Sequence, residues 1–588
     1  MPGVSTPDEN PTGSRRRLRA LARAAAAGAT GLAAAGLAVA VGEIAAAYTG
    51  PGGAPVIAVG SAAIDLTPTW LKEYAVRSFG THDKAVLLTG IYTTMALLAV
   101  VAGLLGRQRP AAGAALIGLF GGLGVWAAAS RPTARPGDAL PSVAAGLVGA
   151  AALWWLARLL RAATAPHPAT GPAPGLATGP APGLATGPAP GLATGPAPGP
   201  ATGPAPDLAP DPAPDAAPDS TADPAGSDPA GRPGRRTVLV TTAATAAVAA
   251  LGAVGGRRLA DSRSDITAAR DAIRLPAPAV PARPLPRGIH PDAPGLTPFV
   301  TSNAGFYRVD TALTLPRIDP RDWSLRIHGL VDHPTVLTFD ELLRQPLEEL
   351  DHTLTCVSNE VGGTYAGTAR WLGASLPALL RRAGVRAGAD QLVGRSRDGM
   401  TIGTPLESVL DGRRALLAVG MNGEALPVAH GFPCRSLVPG FYGYTSATKW
   451  LVDLEVTRFA AFDPYWVRRG WDRTGEVRTA SRVEVPAPFA RVPRGDVLLA
   501  GTAWATHRGL AAVEVRVDGG PWQQTTLAAD AGPDLWRQWS HTWHTTAPGT
   551  HRIEVRATDA LGRTQPETRR PPFPSGATGW HSTVVTVG

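Results

Sequence analysis

Five stretches of this chain carry no charged residue over roughly the 20 residues that an α-helix needs to cross a bilayer. A sixth apolar stretch, Pro55–Leu66, is too short to cross and is predicted to be an interfacial or re-entrant piece. The chain is therefore predicted to be a multi-pass membrane protein. The five stretches are Ala24–Gly42, Ala85–Gly106, Pro110–Ser130, Ala139–Ala157 and Thr237–Gly256.

The arginines that flank these stretches predict how the helices are oriented. Five arginines between Arg15 and Arg23 place the N-terminus in the cytoplasm, because Lys and Arg concentrate in cytoplasmic loops. Five crossings then place everything after Gly256 outside the cell. Arg131 and Arg135, on a short outer loop, are exceptions to this pattern. The expected location is the plasma membrane, with the large C-terminal region on the extracytoplasmic side.

A tract rich in Pro, Ala and Gly separates the fourth and fifth stretches. It repeats Gly-Pro-Ala-Pro-Gly-Leu-Ala-Thr from Gly171 and ends near Pro233. Such a composition buries too little apolar surface to fold, and its prolines keep the chain extended. Arg235 and Arg236 follow. They resemble a twin-arginine export signal and fit an ordinary cytoplasmic flank equally well.

Composition excludes several classes of function. The net charge of +9 comes from scattered arginines without interleaved aromatic residues, so no nucleic-acid partner is predicted. None of the five stretches contains histidine and no Cys-x-x-Cys-His occurs, so no haem is expected in this chain. Two cysteines exclude a four-cysteine zinc site and a disulfide-dense fold. A disulfide between Cys356 and Cys434 stays open, because spacing alone does not decide it.

The region after the fifth stretch shows two different patterns of apolar and polar residues. Trp323–Gly329 alternates like a strand, and Leu376–Ala383 follows Ser375 with helical spacing of apolar residues, which indicates an α+β domain. From about Val483 short alternating segments between turns predict a β-sandwich of roughly 100 residues. The predicted segments are a four-helix transmembrane region (1–163), a disordered linker (164–234), a fifth transmembrane helix (235–257), a stalk (258–290), the α+β domain (291–478) and the sandwich (479–588).

A series of motifs in this region carries polar residues between small and aromatic ones. In this order, and followed by the predicted sandwich, the motifs resemble the sulfite oxidase family of molybdopterin enzymes over roughly Phe299 to the C-terminus. The fold class is then multi-domain: transmembrane α-helices, an α+β molybdopterin-binding domain and an immunoglobulin-like sandwich similar to the family's dimerisation domain. The motifs are Asn303–Arg308, Thr355–Asn359, Thr368–Gly373, His430–Arg435 and Ser446–Leu451.

The resemblance implies a molybdenum cofactor and a set of residues that hold it. Cys356 would give its thiolate to molybdenum, a role that suits a soft anionic ligand. Arg370 is the candidate for a positive charge near the metal, with a structural stack on its neighbouring tryptophan as the equal alternative. Cys434 is expected to be a core residue. The remaining residues that the resemblance assigns to the cofactor are Asn303, Phe306, Tyr307, His430, Arg435, Ser446 and Lys449.

One departure from the family concerns the substrate. Sulfite oxidases carry an arginine shortly after the metal cysteine, whereas Glu360 and two glycines follow Asn359 here. The reaction implied is two-electron oxygen-atom transfer, either sulfite-like oxidation or reduction of an S- or N-oxide. A small-molecule substrate, a separate electron carrier and a homodimer through the C-terminal domain are the expected partners. The alternative function is a non-catalytic binding or adhesion module that retains the scaffold.

Overall fold

The computed structural model describes residues 11–79, 82–131, 133–165 and 234–588. Nearly all of the predicted linker, 164–234, lies outside these residues. Five of the helices described are long and apolar enough to cross a membrane. Each of the five contains one of the five predicted stretches, apart from a terminal residue or two. In chain order the helices are α1 (Pro11–Thr49), α2 (Pro55–Leu66), α3 (Thr69–Phe79), α4 (Asp83–Gln108), α5 (Pro110–Ala129), α6 (Leu140–Thr164) and α7 (Arg235–Arg263).

Small residues let these helices pack with their backbones close together. A β-carbon on Gly31 of α1 would collide with the backbone oxygen of Ala99 on α4, and one on Gly103 would collide with that of Ala27. These two pairs show that α1 and α4 run antiparallel. In lipid no hydrophobic effect drives helices together, so helices associate there by close packing at small residues.

Helix α7 packs against α1 in the parallel sense. Gly36 of α1 faces Ala249 of α7, and Ala40 faces Gly252. The C-terminal ends of α1 and α7 therefore lie on the same side of the helix bundle. This arrangement agrees with alternating passage of the chain, and the side on which each end lies stays a prediction.

Gly103→Leu should disrupt the helix bundle. Overpacking a well-packed contact costs about 1–3 kcal/mol, and here the added side chain meets backbone atoms that do not move aside. Gly90→Leu is the matched control, because Gly90 lies on the same helix and a β-carbon added there would meet no neighbouring atom within 4 Å. Size-exclusion profiles of detergent extracts should show loss of the monodisperse peak for Gly103→Leu alone. Equal profiles for both variants would contradict this packing.

Residues 291–478, which the resemblance implies are the catalytic domain, are called the catalytic region below. This region contains two sheets that enclose a shared apolar core. The first has the strand order β2-β1-β10-β5-β6, and the second has the order β3-β4-β7-β8 with β9 also paired to β7. The strands are β1 (Ser324–Gly329), β2 (Thr335–Thr338), β3 (Leu347–Thr355), β4 (Ala366–Ser375), β5 (Gln391–Ser396), β6 (Thr401–Pro405), β7 (Leu416–Met421), β8 (Glu424–Ala425), β9 (Arg435–Leu437) and β10 (Leu451–Thr457).

Five short helices accompany these sheets. Helix α10 begins and ends at the predicted residues, with Pro377 in its first turn and Gly384 in the left-handed conformation at its end. At α9, Thr338 and Glu341 form a reciprocal capping box. The helices are α8 (Thr267–Asp271), α9 (Phe339–Leu343), α10 (Leu376–Ala383), α11 (Leu406–Leu410) and α12 (Gly443–Ser446).

The segment predicted as a stalk, 258–290, does not stand free of the catalytic region. Ile273 and Leu275 pack against the apolar core. The backbone N–H of Ala279 donates to the carbonyl oxygen of Leu347 at 2.7 Å, so the chain continues along the edge of β3. The apolar residues of this segment pack against the core, and its prolines do not prevent the contact because proline is tolerated at the edge of a sheet. This contact fixes α7 close to the catalytic region.

The C-terminal region consists of two further sheets, which confirms a β-rich end to the chain. Their strand orders are β11-β13-β17-β16 and β12-β19-β18-β14-β15. Val497 and Trp539 from the first sheet share an apolar core with Val513 and Val555 from the second. The strands are β11 (Ala480–Val485), β12 (Arg491–Val492), β13 (Gly495–Trp504), β14 (Leu510–Val517), β15 (Gln523–Gln524), β16 (Thr526–Leu527), β17 (Arg537–Thr545), β18 (Gly549–Asp559) and β19 (His581–Val587).

Candidate active site

Cys356 lies directly after β3, in the turn that leads to β4. Its backbone N–H donates to the carbonyl oxygen of Tyr365 at 2.9 Å, and its own carbonyl accepts from Asn359 N–H at 3.1 Å. The side chain is partly accessible and lines a cavity of about 740 Å³. Both cysteines carry free thiols, so the disulfide alternative is not realised. Cys434 is fully buried in the apolar core, as expected.

The surroundings of the Cys356 thiol act on its pKa in opposite directions. Burial raises the pKa of this thiol, whereas hydrogen bonding with Ser358 and the charge of Lys449 lower it. A thiol in such a place favours the neutral form until a cation binds beside it, since a metal ion stabilises the thiolate. The position therefore suits a metal ligand better than an exposed reactive thiol.

Arg435, at the start of β9, is the most deeply buried cation of the cavity, with 3% of its surface exposed. Its Nη1 donates to the carbonyl oxygen of His430 at 3.1 Å, and its guanidinium lies 5.0 Å from the ring centre of Trp371. Nε has no hydrogen-bond partner among the described residues. Burial lowers the pKa of Arg435 to about 10. A buried, incompletely paired guanidinium is suited to an anion such as phosphate.

Aromatic residues form the floor of the cavity beside Arg435. The ring of Phe306 packs edge-on against Trp371 at 5.8 Å and against His430 at 5.5 Å, and it stacks on Tyr307 at 5.2 Å between ring centres. His430 Nε2 lies 3.1 Å from the carbonyl oxygen of Asn303. Burial lowers the pKa of His430 to about 4, so the ring is neutral near pH 7. A flat neutral surface of this kind can pack against a planar heterocycle.

Lys449 enters the cavity from the segment before β10 and is held by Asp310. Lys449 Nζ donates to Asp310 Oδ2 at 2.7 Å, and Asp310 also pairs with Arg308 at 2.8 Å and with Lys84 of α4 at 2.5 Å. Burial alone raises the pKa of Asp310, but these cations outweigh it and hold the pKa well below its ordinary value. Asp310 thus fixes Lys449 and joins the catalytic region to the N-terminal helices through Lys84 of α4.

Asp310→Asn should destabilise the protein strongly. Removing one partner of a buried ion pair costs about 3–5 kcal/mol, because the remaining charge is left without compensation. Asp332→Asn is the control, since the Asp332–Arg386 pair is more than half exposed and surface pairs contribute about 0–1 kcal/mol. Thermal unfolding of the detergent-solubilised protein should show a much larger decrease for Asp310→Asn. Similar decreases would rule out the buried ion cluster.

Arg370 does not occupy the position that the resemblance implies for it. Its Nε and Nη2 donate to the two carboxylate oxygens of Asp351 at 2.9 and 2.8 Å, across the β3–β4 pair. It is absent from the described residues that line the cavity, and its buried neighbour Trp371 is the residue whose ring lies 5.0 Å from the Arg435 guanidinium. Neighbouring residues of a strand point to opposite faces. Arg370 is therefore not placed as a cation lining the cavity, and its guanidinium pairs with Asp351 and does not stack on Trp371.

Two other predicted cofactor residues lie outside the cavity lining of the described chain. Ser446, the last residue of α12, is fully buried, and its hydroxyl donates to the carbonyl oxygen of Tyr442 at 3.0 Å. Asn303 lies beneath the cavity, where its Oδ1 accepts from Asn422 Nδ2 at 2.9 Å. Asn303 therefore positions His430 through its backbone carbonyl. Phe306, Tyr307, His430, Arg435 and Lys449 are brought together with Cys356 around the cavity.

Several residues of this site carry no motif that would predict them. Asp310 is one of many acidic residues of the chain. Two of its cationic partners, Lys84 and Lys449, are distant in the sequence, and the third, Arg308, is one of many arginines. Lys72 and Lys84 also line the cavity, although they belong to the N-terminal helices α3 and α4. Lysine occurs at three positions only. All three line this one cavity, and that concentration is the signal that could have revealed them.

The residues present fit a molybdenum cofactor. This cofactor needs a cation to bind its phosphate, a flat surface to pack against its pterin ring and a thiolate to bind its metal. Arg435 with its unpartnered Nε, the Phe306–Tyr307 stack and Cys356 supply these three features around one cavity. Its volume of about 740 Å³ lies within the range of small-molecule sites, about 300–1,000 Å³.

Comparison with known proteins agrees with this chemistry. The family model of the oxidoreductase molybdopterin binding domain matches residues 312–466. Chicken sulfite oxidase (Gallus gallus) is 30% identical over 339 residues, which cover 48% of this chain and 72% of the chicken protein. Rat mitochondrial sulfite oxidase (Rattus norvegicus) is 29% identical over 321 residues, and these cover 46% of this chain but only 58% of the rat protein.

A solved structure is also similar, at a lower level. The sulfane dehydrogenase SoxCD from Paracoccus pantotrophus is 23% identical, with a TM-score of 0.43, over 50% of this chain and 84% of that chain. The sequence relatives and the family model are sufficient: this chain is an enzyme that belongs to the sulfite oxidase family of molybdopterin-dependent oxidoreductases.

Proposed function

We propose that this chain is a membrane-anchored molybdenum-cofactor oxidoreductase that catalyses two-electron oxygen-atom transfer on the extracytoplasmic side. The observation that carries the proposal is the meeting of the Cys356 thiol and the buried Arg435 guanidinium around one cavity, in a chain of this family. The reaction is either oxidation of a sulfite-like anion or reduction of an S- or N-oxide.

Six residues of the cavity have a proposed role toward the cofactor. Cys356 would bind the metal, Arg435 and Lys449 would bind the phosphate, and the rings of three further residues would pack against the pterin. When bound, the cofactor supplies the two-electron oxygen-atom transfer chemistry, while the protein supplies position and charge. Because His430 is neutral, its ring can form hydrogen bonds without adding a positive charge to the cavity. The rings that pack against the pterin are those of Phe306, Tyr307 and His430.

The charges around the cavity support an anionic or strongly polar substrate. Five cationic side chains line it, against the carboxylates of Asp310 and Asp398. Glu360, which departs from the family pattern, is exposed and lies outside the lining of this cavity among the described residues. Its charge therefore does not oppose an anion there, and sulfite is a reasonable first substrate to test. The cations are Lys72, Lys84, Arg308, Arg435 and Lys449.

The test is to purify the chain in detergent and measure its cofactor and turnover together. We expect stoichiometric molybdenum and pterin. Turnover is expected with sulfite and ferricyanide, or with an S- or N-oxide and reduced viologen. Because the metal content is measured separately from turnover, a wrong substrate and a wrong cofactor give different results. Protein that folds but contains neither molybdenum nor pterin would end this proposal.

The orientation in the membrane is part of the proposal. The lengths of the five apolar helices and the arginine distribution support it. We expect alkaline phosphatase fused after Gly588 to be active, because that enzyme functions only outside the cytoplasm, and the same fusion after Thr164 to be inactive. Fluorescent-protein fusions at both sites should give the reverse pattern. Activity at Thr164 with none at Gly588 would invert the topology.

The domain boundaries and the dimer also remain proposals. The C-terminal strands begin at Ala480, which supports a boundary near residue 479. The two sheets that share one core support an immunoglobulin-like sandwich. By resemblance to the family, this sandwich is the proposed dimer contact, and light scattering of the detergent-purified protein tests it.

A further inference from the structure

The outer wall of the active-site cavity is formed by the transmembrane region. Leu71 and Phe79 of α3 and Val86 and Leu87 near the start of α4 line the same cavity as Cys356. A cavity that serves only a small oxyanion needs no such apolar wall, since apolar surface does not compensate the loss of water around an anion. The outer part of the cavity therefore suits a ligand with an apolar body.

Specific polar contacts hold this wall on the catalytic region. The hydroxyl of Tyr465 donates to Asp65 Oδ1 of α2 at 2.9 Å, and Arg469 Nη2 donates to the carbonyl oxygen of Asp65 at 3.1 Å. Lys84 of α4 pairs with the buried Asp310 at 2.5 Å. Two separate attachments, at Asp65 before α3 and at Lys84 after it, fix α3 over the cavity.

Aromatic side chains of the catalytic region form the opposite wall. Tyr444, Trp466 and Trp471 all line the cavity. The ring centres of Tyr444 and Trp471 are 5.7 Å apart, and those of Trp466 and Trp471 are 6.1 Å apart. Aromatic faces of this kind pack well against a planar ring. The cavity lining thus combines aromatic side chains of the catalytic region with apolar side chains of α3 and α4.

Helix α3 has the composition of a helix at the membrane surface. Its side chains of Trp70 and Tyr74 are 69% and 57% exposed. Exposed Trp and Tyr concentrate at the boundary between lipid and water. Their position on the helix that covers the cavity places the cavity at that boundary, where a lipid-soluble molecule can reach it without crossing water.

We propose that the outer part of this cavity, between α3 and the aromatic residues Tyr444, Trp466 and Trp471, binds a lipid-soluble quinone that is the two-electron partner of the reaction. This rests on the proposed function. In the oxidative direction, the substrate, one water molecule and one quinone react to give the oxygenated product and one quinol. The water supplies the transferred oxygen atom, and its two protons and the two electrons leave on the quinol. Reduction of an S- or N-oxide is the reverse.

Two further observations support the quinone. The five membrane-crossing helices contain no histidine, so no haem ligand of that kind is available in them to relay electrons. Lys72 lines the cavity, and its Nζ lies 3.3 Å from the hydroxyl of Tyr465. Burial lowers the pKa of Lys72 to about 8, so this amine can exchange protons near neutral pH.

The experiment measures binding of decylubiquinone to the detergent-purified full chain by calorimetry. Ala75→Phe places a ring into the cavity, because Ala75 lines it. Ser78→Phe, on the same helix, is the matched control, because Ser78 is exposed and lies outside the cavity lining that the structure describes. We expect Ala75→Phe to weaken binding at least about tenfold, equivalent to about 1.4 kcal/mol, and Ser78→Phe to leave it unchanged. Should Ala75→Phe fail to fold, Leu71→Ala replaces it, with weaker binding expected from loss of the apolar wall.

Three outcomes would overturn the proposal. The first is no binding to the wild type, and the second is equal affinity in the Ala75→Phe and Ser78→Phe proteins. The third is displacement of decylubiquinone by decylbenzene at equal concentration, which would show that the cavity recognises only an alkyl chain. Binding of quinone does not require molybdenum. Failure of the proposed function, seen as missing metal, is therefore distinguished from failure of the quinone site.

Discussion

Cys356→Ser is expected to abolish turnover while leaving the protein folded. Loss of an outer-shell partner of a metal typically costs about 10–100-fold in affinity or activity, so loss of the proposed metal ligand itself should exceed about 100-fold. The cavity keeps Arg435 and the Phe306–Tyr307 stack in this variant, so pterin should be retained. Turnover, molybdenum and pterin content are measured on the same preparation.

Cys434→Ala is the matched control for this substitution. Cys434 is the only other cysteine and is fully buried in the apolar core. Its loss should cost some stability and leave molybdenum and turnover in place. Turnover by Cys356→Ser within about tenfold of the wild type would show that this thiol is not the metal ligand.

Arg435→Gln is expected to release the cofactor. Each hydrogen bond to a charged group contributes about 1.5–3 kcal/mol, which corresponds to about 10- to 100-fold weaker retention for each bond lost. Arg435 is buried, and its Nε has no partner among the described residues, so the proposed phosphate is the group that completes its hydrogen bonding. Fluorescence of the oxidised pterin released from purified protein measures retention after dialysis.

Arg370→Gln is the control for Arg435→Gln. Arg370 pairs with Asp351 on the opposite face of β4 from Trp371 and lies outside the described cavity lining. Pterin should stay bound in this variant. Loss of pterin from Arg370→Gln, or its retention in Arg435→Gln, would contradict the assignment of the two arginines.

Much of the fold could be predicted from local patterns. Leu376–Ala383 has a proline in its first turn and a glycine after its end, and the helix found there has those bounds. The five long apolar helices are predictable because apolar length alone identifies them. The contact of residues 258–290 with the β3 edge was missed, because a proline-rich composition is shared by free linkers and edge segments.

The candidate site was predictable where a motif carries its own chemistry. Cys356, His430, Arg435 and Lys449 meet around the cavity because the strands and turns that carry them converge there. The wrong prediction for Arg370 followed from a motif that contains two adjacent residues, of which only Trp371 faces Arg435. The contributions of α3 and α4 could not be predicted, since more than 200 residues separate Lys84 from its partner Asp310.

X-ray absorption at the molybdenum edge tests the central claim most directly, namely that the Cys356 sulfur is bonded to the metal. The wild type should show one more sulfur neighbour of molybdenum than the Cys356→Ser protein, with pterin content equal in both. Identical sulfur coordination in the two proteins would contradict the account.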